Sequence, residues 1–360
     1  MPFLKHDLRL LDGYLAELAR TPYFSSELNS YLKQLRQAIG VFLAQYPTVP
    51  TDVAREITAQ IWVATKYLAG SISKEVPYEV VYALDRALDD WKAKLPRPFV
   101  ITTALLSDQE FHFRRVSTDF YTLTQAYLGV AFGSDLIQIA MPRLYRHVPL
   151  YMTALYHELG HFIESQHQLV AATLLKFDPS VATHIPPALP VGFDPNDAMQ
   201  IHASHRAEYF SDLFAASYAG SAYSDFLNHL ALRHPNSFTH PATAERLTNL
   251  SDFLAGRTNP IIDMFQAALS DLGLPALGKR YLVPALAEAF QNIRPHAIAS
   301  TAEVHGMMEA GYIFLQSAQT RVSPPWSEIA EGDIPRIIND LIEKSIRNRM
   351  IVERWTSGAA

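Results

Sequence analysis

The 360-residue chain is predicted to be an α+β protein, predominantly helical, with a small sheet. Three observations predict it. Apolar residues recur at helical spacing through the first quarter of the chain, as in Leu8, Leu11, Leu15 and Leu18 and again in Leu28, Leu32, Leu35, Ile39 and Phe42. Two short runs, Phe99 to Leu105 and Leu136 to Met141, have the length and composition of strands. Helical periodicity then returns and persists to the C-terminus.

In chain order, the first helical stretch breaks near Thr21-Pro22, and Pro47 to Asp52 is a second break. Thr51 and Asp52 are expected to cap a helix from about Val53 to Leu68, and another should run from Pro77 to about Lys94, before Pro96 and Pro98 end it. Helix is expected again over Thr118 to Ala131 and Tyr151 to Leu175, and the Pro-, Gly- and Asp-rich segment Asp178 to Asn196 should be loop. Further helices are predicted at Ala198 to Ala219, Ser221 to Ala231, Ala242 to Leu254, Ile261 to Leu272, Val283 to Phe290, Thr301 to Leu315 and Pro335 to Ile351. The strand Leu136 to Pro142 is expected at a sheet edge, where Ile137 to Met141 would align an extended peptide by backbone hydrogen bonds.

Composition narrows the function. Hydrophobic residues make up 49%, enough for a large core. Lys and Arg total 30 against 36 Asp and Glu, without long blocks of either sign, so nucleic acid is not an expected partner. The absence of cysteine excludes disulfides, thiol nucleophiles and thiolate metal sites, and suits a cytoplasmic location. Charges interrupt the N-terminal apolar pattern and no apolar run reaches membrane-spanning length, so a soluble chain without a secretion signal or integral membrane segment is expected.

The chemistry concentrates in His157-Glu158-Leu159-Gly160-His161. On a helix, His157 and His161 stand one turn apart on one face and can grip one ion, while Glu158 reaches a water on that ion as general base. Gly160 costs about 1 kcal/mol relative to alanine inside a helix, which implies that a strand or a substrate-side wall passes close to it. A third ligand is needed. His167 would require a bend after His161, and the sequence through Leu175 still reads helical. Glu208, on a second helix, completes a two-histidine, one-carboxylate set for Zn2+ and leaves one coordination position open. Asp212, one turn further, would accept the far ring N–H of a ligating histidine. His202 and His205 lie on roughly the same face as Glu208 and are expected to be partly exposed, outside the primary site.

Negative charge on a substrate carbonyl oxygen would need a donor, for which His240 and Arg246 are the candidates. Arg246 has the alternative of pairing with Glu208, Asp212 or a substrate carboxylate. Tyr209 and Tyr156 are further candidate donors.

Together, His157-Glu158-x-x-His161, Glu208-x-x-x-Asp212 and His240-Pro241-x-x-x-x-Arg246 resemble the gluzincin metallopeptidases, specifically the M48-type core. The resemblance covers the middle of the chain. It implies a zincin-like catalytic core over 97–260, while the helical periodicity marks an N-terminal helical region (1–96) and a C-terminal helical region (261–360) expected to pack on that core. It also implies that His157, His161 and Glu208 bind zinc, Glu158 activates water, Asp212 orients a ligand and the His240–Arg246 segment lies at the substrate side. The expected activity is hydrolysis of peptide bonds in a peptide or protein; the alternative is a catalytically silent sensor or protein-binding module. Two departures stand out: M48-type enzymes often carry membrane helices, and Ser211 replaces a frequent alanine before Asp212.

Overall fold

A computed structural model describes residues 2–20, 25–71, 78–95, 97–108, 110–182, 195–320 and 323–357. Along them run α1 (Pro2–Leu18), α2 (Ser26–Gln45), α3 (Thr51–Gly70), α4 (Tyr78–Asp89), β1 (Phe99–Leu106), β2 (His112–Arg115), α5 (Thr118–Leu128) and β3 (Asp135–Pro142). There follow α6 (Thr153–His167), α7 (Leu169–Lys176), α8 (Pro195–Ala219), α9 (Ser221–Leu230) and α10 (Thr243–Leu254). The chain closes with α11 (Pro260–Asp271), α12 (Ala287–Gln291), α13 (Thr301–Ala318) and α14 (Ile334–Ser357). The protein is thus predominantly helical with one three-stranded sheet, and no described helix is long and apolar enough to cross a membrane.

Contacts divide the chain into two units that are not contiguous in sequence, Met1–Pro77 with Pro96–Arg143 and Tyr78–Leu95 with Leu144–Ala360. They do not coincide with the three consecutive segments expected, although residue 96 marks one crossing between them.

In the first unit the predicted apolar stripes of α1 and α2 are buried together, with Leu8, Leu15, Leu35, Ile39 and Phe42 fully inaccessible. Ser25 caps α2, its Oγ accepting the Leu28 N–H at 3.2 Å. The break expected at Thr21-Pro22 lies outside the described residues. α3 begins earlier than expected, behind Pro50, so Thr51 and Asp52 sit inside its first turn and not at its cap, where Asp52 still favours the helix dipole.

The sheet order is β1-β3-β2, with β3 parallel to β1 and antiparallel to β2. This corrects the expectation of an edge strand: Ile137 to Ala140 are paired on both sides, and Met141 is paired with Leu105. Those paired residues offer no free edge to a peptide. All eight residues of β3 are buried, as befits a central strand covered on both faces. β2, with the sequence His-Phe-Arg-Arg, carries no strand pattern of its own and was not expected.

The second unit is built around α8, which is buried on every face from Glu208 to Ala219 and packs most extensively on α6. Phe210, Leu213, Phe214 and Tyr218 of α8 are fully inaccessible, as is Trp91, whose ring lies 5.6 Å from that of Phe214. Helix is shorter than expected over Val283 to Phe290: only Ala287–Gln291 is helical. The preceding chain crosses α13 instead, with the Leu282 N–H bonded to Ala302 O at 2.9 Å and the Leu282 carbonyl lying over Gly306.

Candidate metal centre

The helix expected over Tyr151 to Leu175 is interrupted. A 3-10 turn (Pro149–Met152) leads into α6, and Gln168 adopts a left-handed conformation (φ 50°) before α7. α6 carries His157, Glu158 and His161. His157 is 8% exposed, while Glu158 and His161 are half-buried. Across from them α8 presents Glu208, also 8% exposed. The two helices meet closely because Gly160 has no side chain: a Cβ there would lie 2.7 Å from Ser211 Cα. The object passing Gly160 is therefore a helix, not a strand or a substrate-side wall, and a small residue at 211 suits the contact.

This approach brings three predicted ligands together. His157 Nε2 is 3.0 Å from His161 Nε2 and 3.4 Å from Glu208 Oε2, and His161 Nε2 is 3.3 Å from Glu208 Oε1. Among the described residues these form the group of His and acidic side chains that could hold a metal ion. Glu208 Oε2 is buried and makes no hydrogen bond among the described residues, although His157 Nε2 and Arg246 Nη2 lie 3.4 and 3.2 Å from it. Glu158 has no polar partner among the described residues.

Around the ligands lies a buried ionic lattice. Asp212 Oδ1 is 3.0 Å from His157 Nδ1, and Asp212 also receives Arg246 through Nε at 2.7 Å and Nη2 at 2.6 Å. Arg246 Nη2 lies 3.2 Å from Glu208 Oε2 as well. Arg246 is 6% exposed and committed to these carboxylates, so its pairing alternative is the arrangement found. Burial alone would raise the carboxyls of Glu208 and Asp212; Arg246 and the imidazoles overcome it and hold Glu208 well below the usual carboxylate range and Asp212 lowered. Burial likewise opposes a charge on His157, but Asp212 and Glu208 outweigh it and raise the imidazole to about 9. The pocket therefore favours positive charge at its centre.

Tyr223 completes the lattice and was not read from the sequence. Its hydroxyl donates to Asp212 Oδ1 at 2.5 Å and lies 2.9 Å from His157 Nδ1. Gly220 (φ 62°, ψ −145°) makes this possible, turning the chain between α8 and α9 through a region essentially reserved for glycine. The available signal was a tyrosine among apolar residues of α9 (Ala222, Phe226 and Leu227 are buried), because a buried phenol needs a partner.

His240 sits at the rim. Its side chain is 48% exposed, with Nε2 3.6 Å from Glu208 Oε1 and Nδ1 2.8 Å from Thr239 Oγ1. Burial, together with Arg246, lowers its pKa against the opposing pull of Glu208. The Thr239 hydroxyl and His240 Nδ1 share one hydrogen bond that either tautomer of the ring can make, and Nε2 is the ring atom facing Glu208.

Other candidates are placed elsewhere. His167 ends α6, its Nε2 buried without a hydrogen bond among the described residues, and it is not part of the ligand group. Tyr209 donates to Glu245 Oε2 at 3.1 Å, and Tyr156 pairs with His305 Nδ1 at 3.0 Å, so both hydroxyls serve the interior. His202 and His205, expected to be partly exposed, are 7% and 0% exposed, and burial lowers the pKa of each. Comparison with protein-family models, curated proteins and solved structures finds no match to this chain.

Proposed function

We propose that the chain is a zinc-dependent metallopeptidase of the gluzincin type, with an M48-like catalytic core, that hydrolyses peptide bonds in a peptide or protein substrate. The observation that carries this reading is the convergence of His157, His161 and Glu208 beside a half-buried Glu158. Bonds of about 2.0–2.1 Å in a tetrahedral zinc site place donor atoms roughly 3.3 Å apart. Here the two Nε2 atoms stand 3.0 Å apart, each lies within 3.4 Å of one or other Glu208 carboxylate oxygen, and one donor atom from each residue lies within 4.8 Å of the others, close enough to share an ion. Two imidazoles and a carboxylate suit zinc better than magnesium or calcium, which favour all-oxygen shells, and three protein ligands leave a position for chemistry.

When bound, the ion supplies Lewis acidity, acidifying water and polarising the scissile carbonyl. Glu158, next in sequence to a ligand and without a competing polar partner among the described residues, takes the proton of the attacking water and passes it to the leaving amine. His240, in the tautomer that carries its proton on Nε2, donates to the carbonyl oxygen as charge develops there. Asp212 and Tyr223 keep His157 protonated on Nδ1, so that Nε2 presents its lone pair. Arg246 acts on the ligand set through Asp212 and Glu208, not on substrate.

The test is zinc stoichiometry together with peptide turnover. Wild type should bind one equivalent and cleave a diverse peptide mixture, whereas Glu158→Gln should keep the zinc and lose at least about 100-fold in kcat. Undiminished turnover in Glu158→Gln would sink the mechanism. Zinc binding with no cleavage by wild type would favour the silent binding module.

A further inference from the structure

We propose that His205 is a positioning residue that anchors the His240 turn to the helix carrying Glu208, fixing the imidazole of His240 relative to the metal ligands. The inference rests on the peptidase reading of the same site. His205 precedes Glu208 by one turn of α8 and is fully inaccessible. Its Nε2–H donates to the carbonyl of Ser237 at 2.7 Å. A carbonyl only accepts, so this bond fixes the His205 proton on Nε2, and burial favours that neutral form.

Ser237 is the other half of the turn that presents His240. The Ser237 N–H bonds to His240 O at 2.9 Å, and the His240 N–H bonds to Ser237 Oγ at 3.0 Å. Thr243, at the start of α10, ties the ends of the loop through its N–H to His234 O and its hydroxyl to Ala231 O. His205 ties the tip. A donor on an exposed loop gains catalytic precision when a rigid element holds it, and misplacement by about 1 Å costs on the order of 100-fold. α8 thus supplies a ligand in Glu208, a support for a ligand in Asp212 and, through His205, the seat of the oxyanion donor.

The experiment compares His205→Phe, which removes the donor, with His205→Gln, whose amide N–H can reach the same carbonyl. Ser237→Ala keeps the carbonyl that His205 binds and removes only the hydroxyl at the His240 N–H, so it loosens the turn with the anchor in place. If His205→Phe folds poorly, His205→Gln matching wild type in rate and exchange while Ser237→Ala impairs both supports the anchor. His205→Gln with wild-type exchange but a lowered rate overturns it. In zinc-loaded protein, His205→Phe should lower kcat roughly 10- to 100-fold with KM little changed. It should also accelerate amide hydrogen exchange in the segment containing 237–240, and His205→Gln should restore both. In a His240→Ala background, His205→Phe should cost less than about twofold, because its effect runs through the missing ring. Unchanged exchange, or independent additive losses, would overturn the proposal. Exchange that responds as stated in a wild type without turnover would retain the anchor and refute only the peptidase reading.

Discussion

Gly160 of α6 lies against Ser211 of α8 so closely that the smallest added side chain would meet the Ser211 Cα at 2.7 Å. Since α6 bears His157 and His161 and α8 bears Glu208, this contact sets how closely the three side chains that could hold a metal ion approach. Gly160→Ala should gain about 1 kcal/mol in helix propensity and lose more to overpacking, typically about 1–3 kcal/mol. The expected outcome is a lower denaturation midpoint together with weaker zinc binding; a stabilised variant with unchanged affinity would contradict the packing argument.

Asp212 is held by Tyr223 and Arg246 as well as by His157. Tyr223→Phe should weaken zinc binding by up to about tenfold and Asp212→Asn by about 10- to 100-fold, since both loosen the group behind a ligand. Competition against a chromophoric chelator measures both. Equal affinities across the three proteins would deny these residues a role at the metal.

Replacing Arg246 with methionine leaves Glu208 and Asp212 buried without their shared cation. Breaking a buried ion pair from one side costs about 3–5 kcal/mol. That loss should be largest in chelator-treated protein and smaller with zinc present, because an ion that binds only the folded state adds stability and supplies the missing positive charge. Denaturant titrations with and without chelator test the difference.

His305 is 2% exposed, and burial pushes its imidazole down to about 4 despite the opposing pull of Asp90 and Asp89. Between about 4 and the unfolded value near 6.5, the unfolded chain binds the extra proton and the folded chain does not. Stability is therefore full above about 6.5 and falls as pH drops toward 4, by a few kcal/mol at most. His305→Asn should flatten that part of the stability profile; an unchanged slope would show that other groups govern acid unfolding.

The three side chains that could hold a metal were legible because their signals are local: two histidines one helical turn apart with a glutamate between them, and an acidic pair at the same spacing on a second long helix. The apolar stripes of α1 and α2 were legible for the same reason. What escaped depends on tertiary partners. β3 could not be placed at the centre of the sheet because β2 (His-Phe-Arg-Arg) has no alternating pattern. The break after α6 uses Gln168 in a conformation usually marked by glycine or asparagine. Tyr223 lies 66 residues beyond His157, and His205 resembles a surface histidine until the chain returns at Ser237.

The buried ionic lattice has an electrical consequence. Glu208 and Asp212 carry one more formal charge than Arg246 neutralises, and Glu158 adds another negative charge at its border. On the peptidase reading a divalent ion would cancel the remainder, leaving the loaded enclosure neutral, and a proton moving from water to Glu158 would redistribute charge inside it without altering the sum. On that reading the loaded centre itself would offer little long-range attraction to acidic or basic chains, and selection among substrates would fall to shape and hydrogen bonding at its mouth.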